Sequence, residues 1–465
     1  MTPVTPLREL PALEPGRAFP LPPLVDTVLP GGLRVVAARA PSVPMVELRM
    51  RVPLPEAAEG PAVAQVLADT LFADAEGADD LLGRAGATLG AGVDGGRLSV
   101  SASMTAAAFP EVLDLVARAL AGAAHPDPAC EHAVRRLTAQ LGPLRAQPRV
   151  LAQDALRRHC YGPDVPSLLP DEQALAAVTA ERVRRLHDQG MHSRGAFLVL
   201  VGDLDPSAAA DHAAIALSAW PGRRWQGGPG TAAPPPPQQS PSPLPQQSPS
   251  PLPQPSPPPP PRRMRPAGVA VVDRPGAVQS QIMLVAPGLP RADPGFAALS
   301  LANCVLGGFF SSRLTVAVRE ERGLAYRIDA VLDELLDEEL VFLDADTRTG
   351  ATEAAVRQMR AELLRLAEQP PSGAETDAAR EFFTGMTALG AASQAGLAGA
   401  LVNLLQYGLS PDWLRTFPQR LAEVTLGEVA RAAQEFYAPS RFSGVIVGDR
   451  SGLASQDFDL FARRQ

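Results

Sequence analysis

Apolar and polar residues alternate along 46–52 (Val46-Glu47-Leu48-Arg49-Met50-Arg51-Val52), the period of a strand with one face against a core. Just before it, residues 27–38 hold two short apolar runs around Pro30-Gly31-Gly32, which predicts strand, tight turn, strand. From 61 to 72 the apolar positions recur at helical spacing, and a second helix is predicted near 78–85. Residues 95–104 read as a strand and 109–121 as an amphipathic helix. Beyond residue 266 the style repeats. Strands are predicted at 268–273, 279–286, 324–332 and 339–347, with helices at 295–306, 311–322 and 352–368. Strands interleaved with helices, without strict alternation, predict an α+β fold with mostly antiparallel sheets and helices on one face.

Two closing units match. Val178-Thr179 leads through a predicted helix to the apolar run Phe197–Val201 and Gly202-Asp203. Val424-Thr425 leads the same way to 444–447 and Gly448-Asp449. Thr179 and Asp203 are 24 residues apart, as are Thr425 and Asp449. In each, Thr is a natural helix N-cap and the apolar run a buried strand. Internal duplication is the economical reading. Between the halves, 16 of the 28 residues in 234–261 are Pro, and an eight-residue unit at 240–247 recurs with one change at 248–255. Proline fixes φ and removes a donor, so this stretch predicts an extended linker. A ligand for proline-recognition modules is the alternative. The predicted organisation is an N-terminal extension (1–24), a first domain (25–225), a Pro-rich linker (226–265) and a second, homologous domain (266–465).

Composition narrows the function. A formal charge of −8 argues against a general nucleic-acid binder, which would show a basic stripe. All 42 basic residues are Arg, a bias that carries no functional weight. The 46% apolar content supports real cores, yet no run of about 20 apolar residues predicts a membrane span. The N-terminal stretch, rich in Pro and charge, lacks the apolar core of a signal peptide, so a cytoplasmic location is expected. Cys130, Cys160 and Cys304 are odd in number and far apart, which predicts free buried thiols rather than a zinc cluster or a disulfide framework. The six His, all in the first half, lack spacing that would gather them on one metal, and satisfied or solvated side chains are expected.

Helix 61–72, Pro-Ala-Val-Ala-Gln65-Val-Leu-Ala68-Asp69-Thr-Leu-Phe, resembles in frame the segment G-L-A-H-L-L-E-H-M-L-F of the pitrilysin/insulinase zinc peptidases, the inverzincins. In that family the two His bind zinc and the Glu between them activates water. Here Gln65, Asp69 and Ala68 hold those places. The family's third ligand, a Glu further along, falls on Gln140 within Leu137-Thr138-Ala139-Gln140-Leu141. Ala68 cannot act as a base, and Gln65 and Gln140 are poor ligands, so no metal is expected in this chain.

The second half carries a stronger likeness. Leu306-Gly307-Gly308-Phe309-Phe310-Ser311-Ser312-Arg313-Leu314, followed by Arg319-Glu320-Glu321-Arg322-Gly323-Leu324-Ala325-Tyr326, resembles the family signature L-G-G-x-x-S-S-R-L…R-E-x-R-G-L-A-Y. The resemblance implies that Arg319 and Tyr326 face a chamber and bind peptide substrate. Gly86–Val93 corresponds in outline to the edge strand on which substrate pairs in that family. The resemblance therefore implies two such domains forming half of a clam-shell chamber. It implies a non-catalytic, substrate-positioning subunit, with zinc in a partner that bears H-x-x-E-H, acting on peptides. A structural scaffold subunit or a stand-alone peptide-binding protein is the alternative.

Overall fold

The computed structural model describes residues 20–55, 60–75, 77–220 and 263–453. The Pro-rich stretch 234–261 and most of the predicted N-terminal extension lie outside the described residues. Among the described residues no single helix is long and apolar enough to cross a membrane.

The strands are β1 (Leu24–Val28), β2 (Arg34–Arg39), β3 (Met45–Pro53), β4 (Thr88–Asp94), β5 (Arg97–Thr105), β6 (Phe197–Gly202), β7 (Val269–Asp273), β8 (Gln279–Pro287), β9 (Ala325–Leu335), β10 (Glu338–Arg348) and β11 (Ser443–Gly448). They form two mixed sheets, ordered β1-β2-β6-β3-β5-β4 and β7-β11-β8-β10-β9. In the first sheet β2 pairs β6 in parallel, and in the second β7 pairs β11 in parallel. The other pairings are antiparallel. Stripped of β1, the first sheet has the order and sense of the second, strand for strand.

Helices of the first half are α1 (Pro61–Thr70), α2 (Ala78–Ala85), α3 (Phe109–Gly122), α4 (Asp127–Arg145), α5 (Pro148–Tyr161), α6 (Glu172–Ala176), α7 (Ala180–Gly190) and α8 (Pro206–Ala216). Those of the second are α9 (Phe296–Asn303), α10 (Thr352–Glu368), α11 (Gly373–Gly390), α12 (Gln394–Gln406), α13 (Trp413–Glu423) and α14 (Leu426–Phe436). Thr179 caps α7 by accepting from the Arg182 N–H, and Thr425 caps α14 in a full capping box with Glu428. These are the caps expected from the matched closing units.

The central strands are buried on both faces, and the two faces meet different halves of the chain. Leu198 and Leu200 of β6 point into the core made with the first half's own helices. Phe197, Val199 and Val201 point the other way, onto Leu397, Ala398, Leu401 and Leu405 of α12, a helix of the second half. The second sheet reciprocates. Ile446 of β11 and Ile282 and Leu284 of β8 face their own helices. Val445, Val447, Met283 and Val285 face Ala152, Leu156 and Cys160 of α5, from the first half. A strand's period of two, with apolar residues at every step, is what permits this double burial. Each half thus lends one helix to the other. Close strand packing also sets a glycine: a Cβ on Gly202 would lie 2.2 Å from the Met45 carbonyl oxygen.

Candidate functional site

On α1 the buried residues Val63, Val66, Leu67 and Thr70 form the inner face. Ala68 is only 3% exposed and its methyl belongs to that core, so it presents nothing to a substrate. Asp69, one turn beyond Gln65, forms an ion pair with Arg136 of α4. The other arm of Arg136 donates to Gln140 Oε1 at 3.4 Å. The fold therefore brings together two of the four positions drawn from the resemblance, Asp69 of α1 and Gln140 of α4, and what joins them is the Arg136 guanidinium. Burial pushes the Asp69 carboxyl up while Arg136 pulls it down. Two neutral amides, a methyl and a carboxylate engaged by arginine do not fit a catalytic zinc, which needs three donors and an open position. Among the described residues no three His, Cys, Asp or Glu side chains gather as a metal site.

β4 is the outermost strand of its sheet among the described residues, bonded to β5 alone, and α1 packs beside it. A Cβ on Gly90 or Gly92 would meet nothing within 4 Å, so the space along this strand is open.

A buried polar chain beneath α1 has no counterpart in the sequence expectations. Thr70 donates to the Val66 carbonyl at 2.7 Å and meets His125 Nδ1 at 2.8 Å. On the far side of the ring, His125 Nε2 lies 3.0 Å from His187 Nδ1, so one imidazole donates to the other. Both rings are buried, and with lowered pKa values both are neutral in neutral solution. Burial, followed by the proximity of His187, lowers the pKa of His125 to about 4. Burial lowers that of His187 as well. The two residues lie 62 positions apart, so no local spacing announces the pair.

In the second half, α9 passes into a π-helical stretch at Cys304–Gly308, and a second one spans Thr315–Glu320 where an α-helix over 311–322 was expected. The first stretch approaches β9 closely. A Cβ on Gly307 would lie 2.7 Å from the Ala330 Cβ, and Asn303 donates to the Ala330 carbonyl at 2.9 Å. Arg313, nearly buried, holds Glu375 at the start of α11 through two bonds of 2.7 and 3.0 Å and reaches the Gln369 carbonyl at 2.8 Å. Its bonds are the largest cause that lowers the Glu375 carboxyl to about 2. Arg313 is thus a brace for the segment rather than a free ligand-binding group. Gly323 ends the second stretch at φ +57, with its N–H on the Arg319 carbonyl at 3.1 Å, and β9 starts two residues later. A strand beginning directly after the helical stretch is as the sequence predicts.

Arg319 and Tyr326 flank that turn on the surface. Tyr326 is 57% exposed and Phe310 66%. The Arg319 guanidinium stands over the Phe310 ring at 5.5 Å, and its Nε lies 3.4 Å from Glu320 Oε1. Partial desolvation, and then the Asp346 carboxylate, push the Tyr326 phenol up, so it stays protonated in neutral solution. Arg319 and Tyr326 thus stand exposed on either side of one turn, and the Phe310 ring lies against the first of them.

Residues 177–383 match the Peptidase M16 inactive domain. A Streptomyces coelicolor protein described as an uncharacterized zinc protease is 33% identical over 142 residues, 30% of this chain and 30% of that protein. Solved structures share the fold. A peptidase M16 inactive domain from Pseudomonas fluorescens aligns with TM-score 0.73 and 23% identity, covering 92% of this chain and 98% of that one. A protease from Helicobacter pylori aligns with TM-score 0.74 and 15% identity, over 92% and 100%. The periplasmic protease PqqL from Escherichia coli aligns with TM-score 0.68 and 16% identity, over 96% of this chain and 48% of its own. The match to an inactive M16 domain covers less than half of the chain, and the solved structures, each under 25% identical, show the fold.

Proposed function

We propose that the chain is the non-catalytic, substrate-positioning subunit of a heterodimeric zinc metallopeptidase acting on peptides or unfolded segments. The partner would carry H-x-x-E-H and the zinc. The observation that carries this reading is the contrast between two positions. The α1 site is closed on itself by Asp69, Arg136 and Gln140, whereas Arg319 and Tyr326 stand exposed on a segment that Arg313 and Gly307 hold in place. An Arg fork suits peptide carbonyls, and a protonated phenol is one well-placed donor. In the assembled chamber these groups would orient the peptide and support charge developing on the scissile carbonyl. The open edge of β4 would offer a place for an extended peptide to add as a strand. Three buried free cysteines fit a reducing compartment, and we place the chain in the cytoplasm.

The test is reconstitution with an H-x-x-E-H homologue from the same genome. The mixture is expected to cleave peptides far faster than either chain alone. Arg319→Ala and Tyr326→Phe are each expected to lower kcat about a hundredfold, the usual cost of losing one preorganised donor, with assembly intact. Full activity in both assembled mutants would favour a scaffold role instead.

A further inference from the structure

Resting on that reading of Arg319 and Tyr326, we propose that Phe310 is a positioning residue of the same site: the face of its ring holds the Arg319 guanidinium where a bound peptide meets it. An arginine side chain is long and rotamer-rich, and one left free gives up that freedom when it binds. Little else holds Arg319. Its Glu320 neighbour is adjacent in sequence, the charged groups are 3.4 Å apart, and both side chains are close to half exposed. Such a pair in water restrains weakly. The guanidinium is, however, 5.5 Å from the centre of the Phe310 ring, within cation–π range.

The local chain explains why Phe310 is available. Phe309 turns inward and stacks on Phe382 of α11, with ring centres 5.5 Å apart. Ser312 N–H closes the turn on the Phe309 carbonyl at 3.0 Å. Its neighbour Phe310 therefore points outward, with 66% of its surface in water, and contributes little to the core. A peptide laid across Arg319 would cover the ring and exclude water from it, and the cation–π contact strengthens as it is desolvated.

The test is direct binding of a fluorescein-labelled unstructured peptide of Ala, Leu and Ser to the full chain, followed by anisotropy. Arg319→Ala is expected to weaken binding. Phe310→Trp and Phe310→Tyr are expected to bind like the parent, because they keep a π face. Phe310→Leu and Phe310→Ala are expected to bind roughly fivefold more weakly. Adding Phe310→Leu to Arg319→Ala should cost nothing further, since the ring acts through the guanidinium. Thermal unfolding of each variant checks that the exposed position leaves stability unchanged. Parent-like binding by Phe310→Leu, or an equal loss in the Arg319→Ala background, overturns the inference while leaving the proposed function standing. No binding by the parent chain overturns this inference, and no effect of Arg319→Ala removes the proposed substrate-positioning role of Arg319 together with it.

Discussion

Asp69 puts a carboxylate where the resembling family has a histidine, and Arg136 pairs with it. Directly beside it, Thr70 anchors a buried pair of neutral imidazoles whose consequence is measurable. The folded-state pKa of His125 is about 4, below the ordinary value of 6.5, and that of His187 is also lowered. A base whose pKa falls on folding contributes fully only while it is neutral in both states. Its stabilisation is therefore present above about pH 6.5 and is lost as the pH falls toward 4, because the unfolded chain binds the proton first. His125 alone accounts for about 2 kcal/mol lost near pH 5, and His187 adds in the same direction. Urea unfolding between about pH 7 and pH 5 is expected to show this fall, and His125→Gln is expected to flatten it. An unchanged slope in that variant would assign the acid sensitivity elsewhere. The sequence could not disclose the pair, because residues 62 apart meet only through tertiary packing. Gln65, Ala68, Asp69 and Gln140, by contrast, were legible from their frame on one helix and a second stretch. The use of Arg136 to bridge Asp69 and Gln140 was not, because nothing in the local pattern of α4 marks it.

At the scale of elements, the strands were readable because a period of two leaves a strong signature. β3 alternates across 46–52, and the buried runs Phe197–Val201 of β6 and Val445–Val447 of β11 are apolar at every step. Continuous apolar strands require cover on both faces, and that requirement is the trace in the sequence of the exchanged helices α5 and α12. Which helices do the covering could not be read, since nothing local marks a helix as belonging to the distant sheet. Helices α4, α5 and α11 to α13 have no counterpart among the predicted elements. The π-helical stretches were missed because helical periodicity is nearly blind to one extra residue per turn. The exchange makes an uneven demand on stability. Leu156 lies in the first half but is 2% exposed inside the second sheet's outer core. Leu156→Ala is expected to destabilise by about 2–5 kcal/mol, the range for a buried leucine. Hydrogen exchange should place the loss in β8 and β11, more than a hundred residues away in sequence, rather than in β3 and β6. Loss confined to the first sheet would contradict the pairing of α5 with the second.

For the whole molecule, reciprocal exchange changes what the connection between the halves must do. The first piece of the chain carries α5, which fills the outer face of the second sheet. The second piece carries α12, which fills the outer face of the first. Further bonds cross the divide: Arg149 of α5 meets Asp344 at 2.9 Å, Tyr161 donates to Glu338 at 3.1 Å, and Gln394 of α12 donates to the Val43 carbonyl at 2.9 Å. Two apolar faces and these bonds hold the halves together without a covalent tie. The Pro-rich stretch 234–261 is then needed to keep the halves at high local concentration while they fold, and not to keep them together afterwards. A site for a specific protease inserted at 247 tests this. After folding and cleavage, the two fragments are expected to elute together in size exclusion, with a melting temperature close to that of the uncut chain. Refolding from denaturant should become concentration-dependent after the cut, because closing the interface is now bimolecular. Replacing 234–261 with Gly and Ser of equal length should leave both folding and assembly unchanged, since a flexible chain still spans the same ends. Separation of the cut fragments would mean that the exchanged helices are too weak to hold the halves. Insolubility of the Gly/Ser variant would mean that the proline sequence itself is read by the fold.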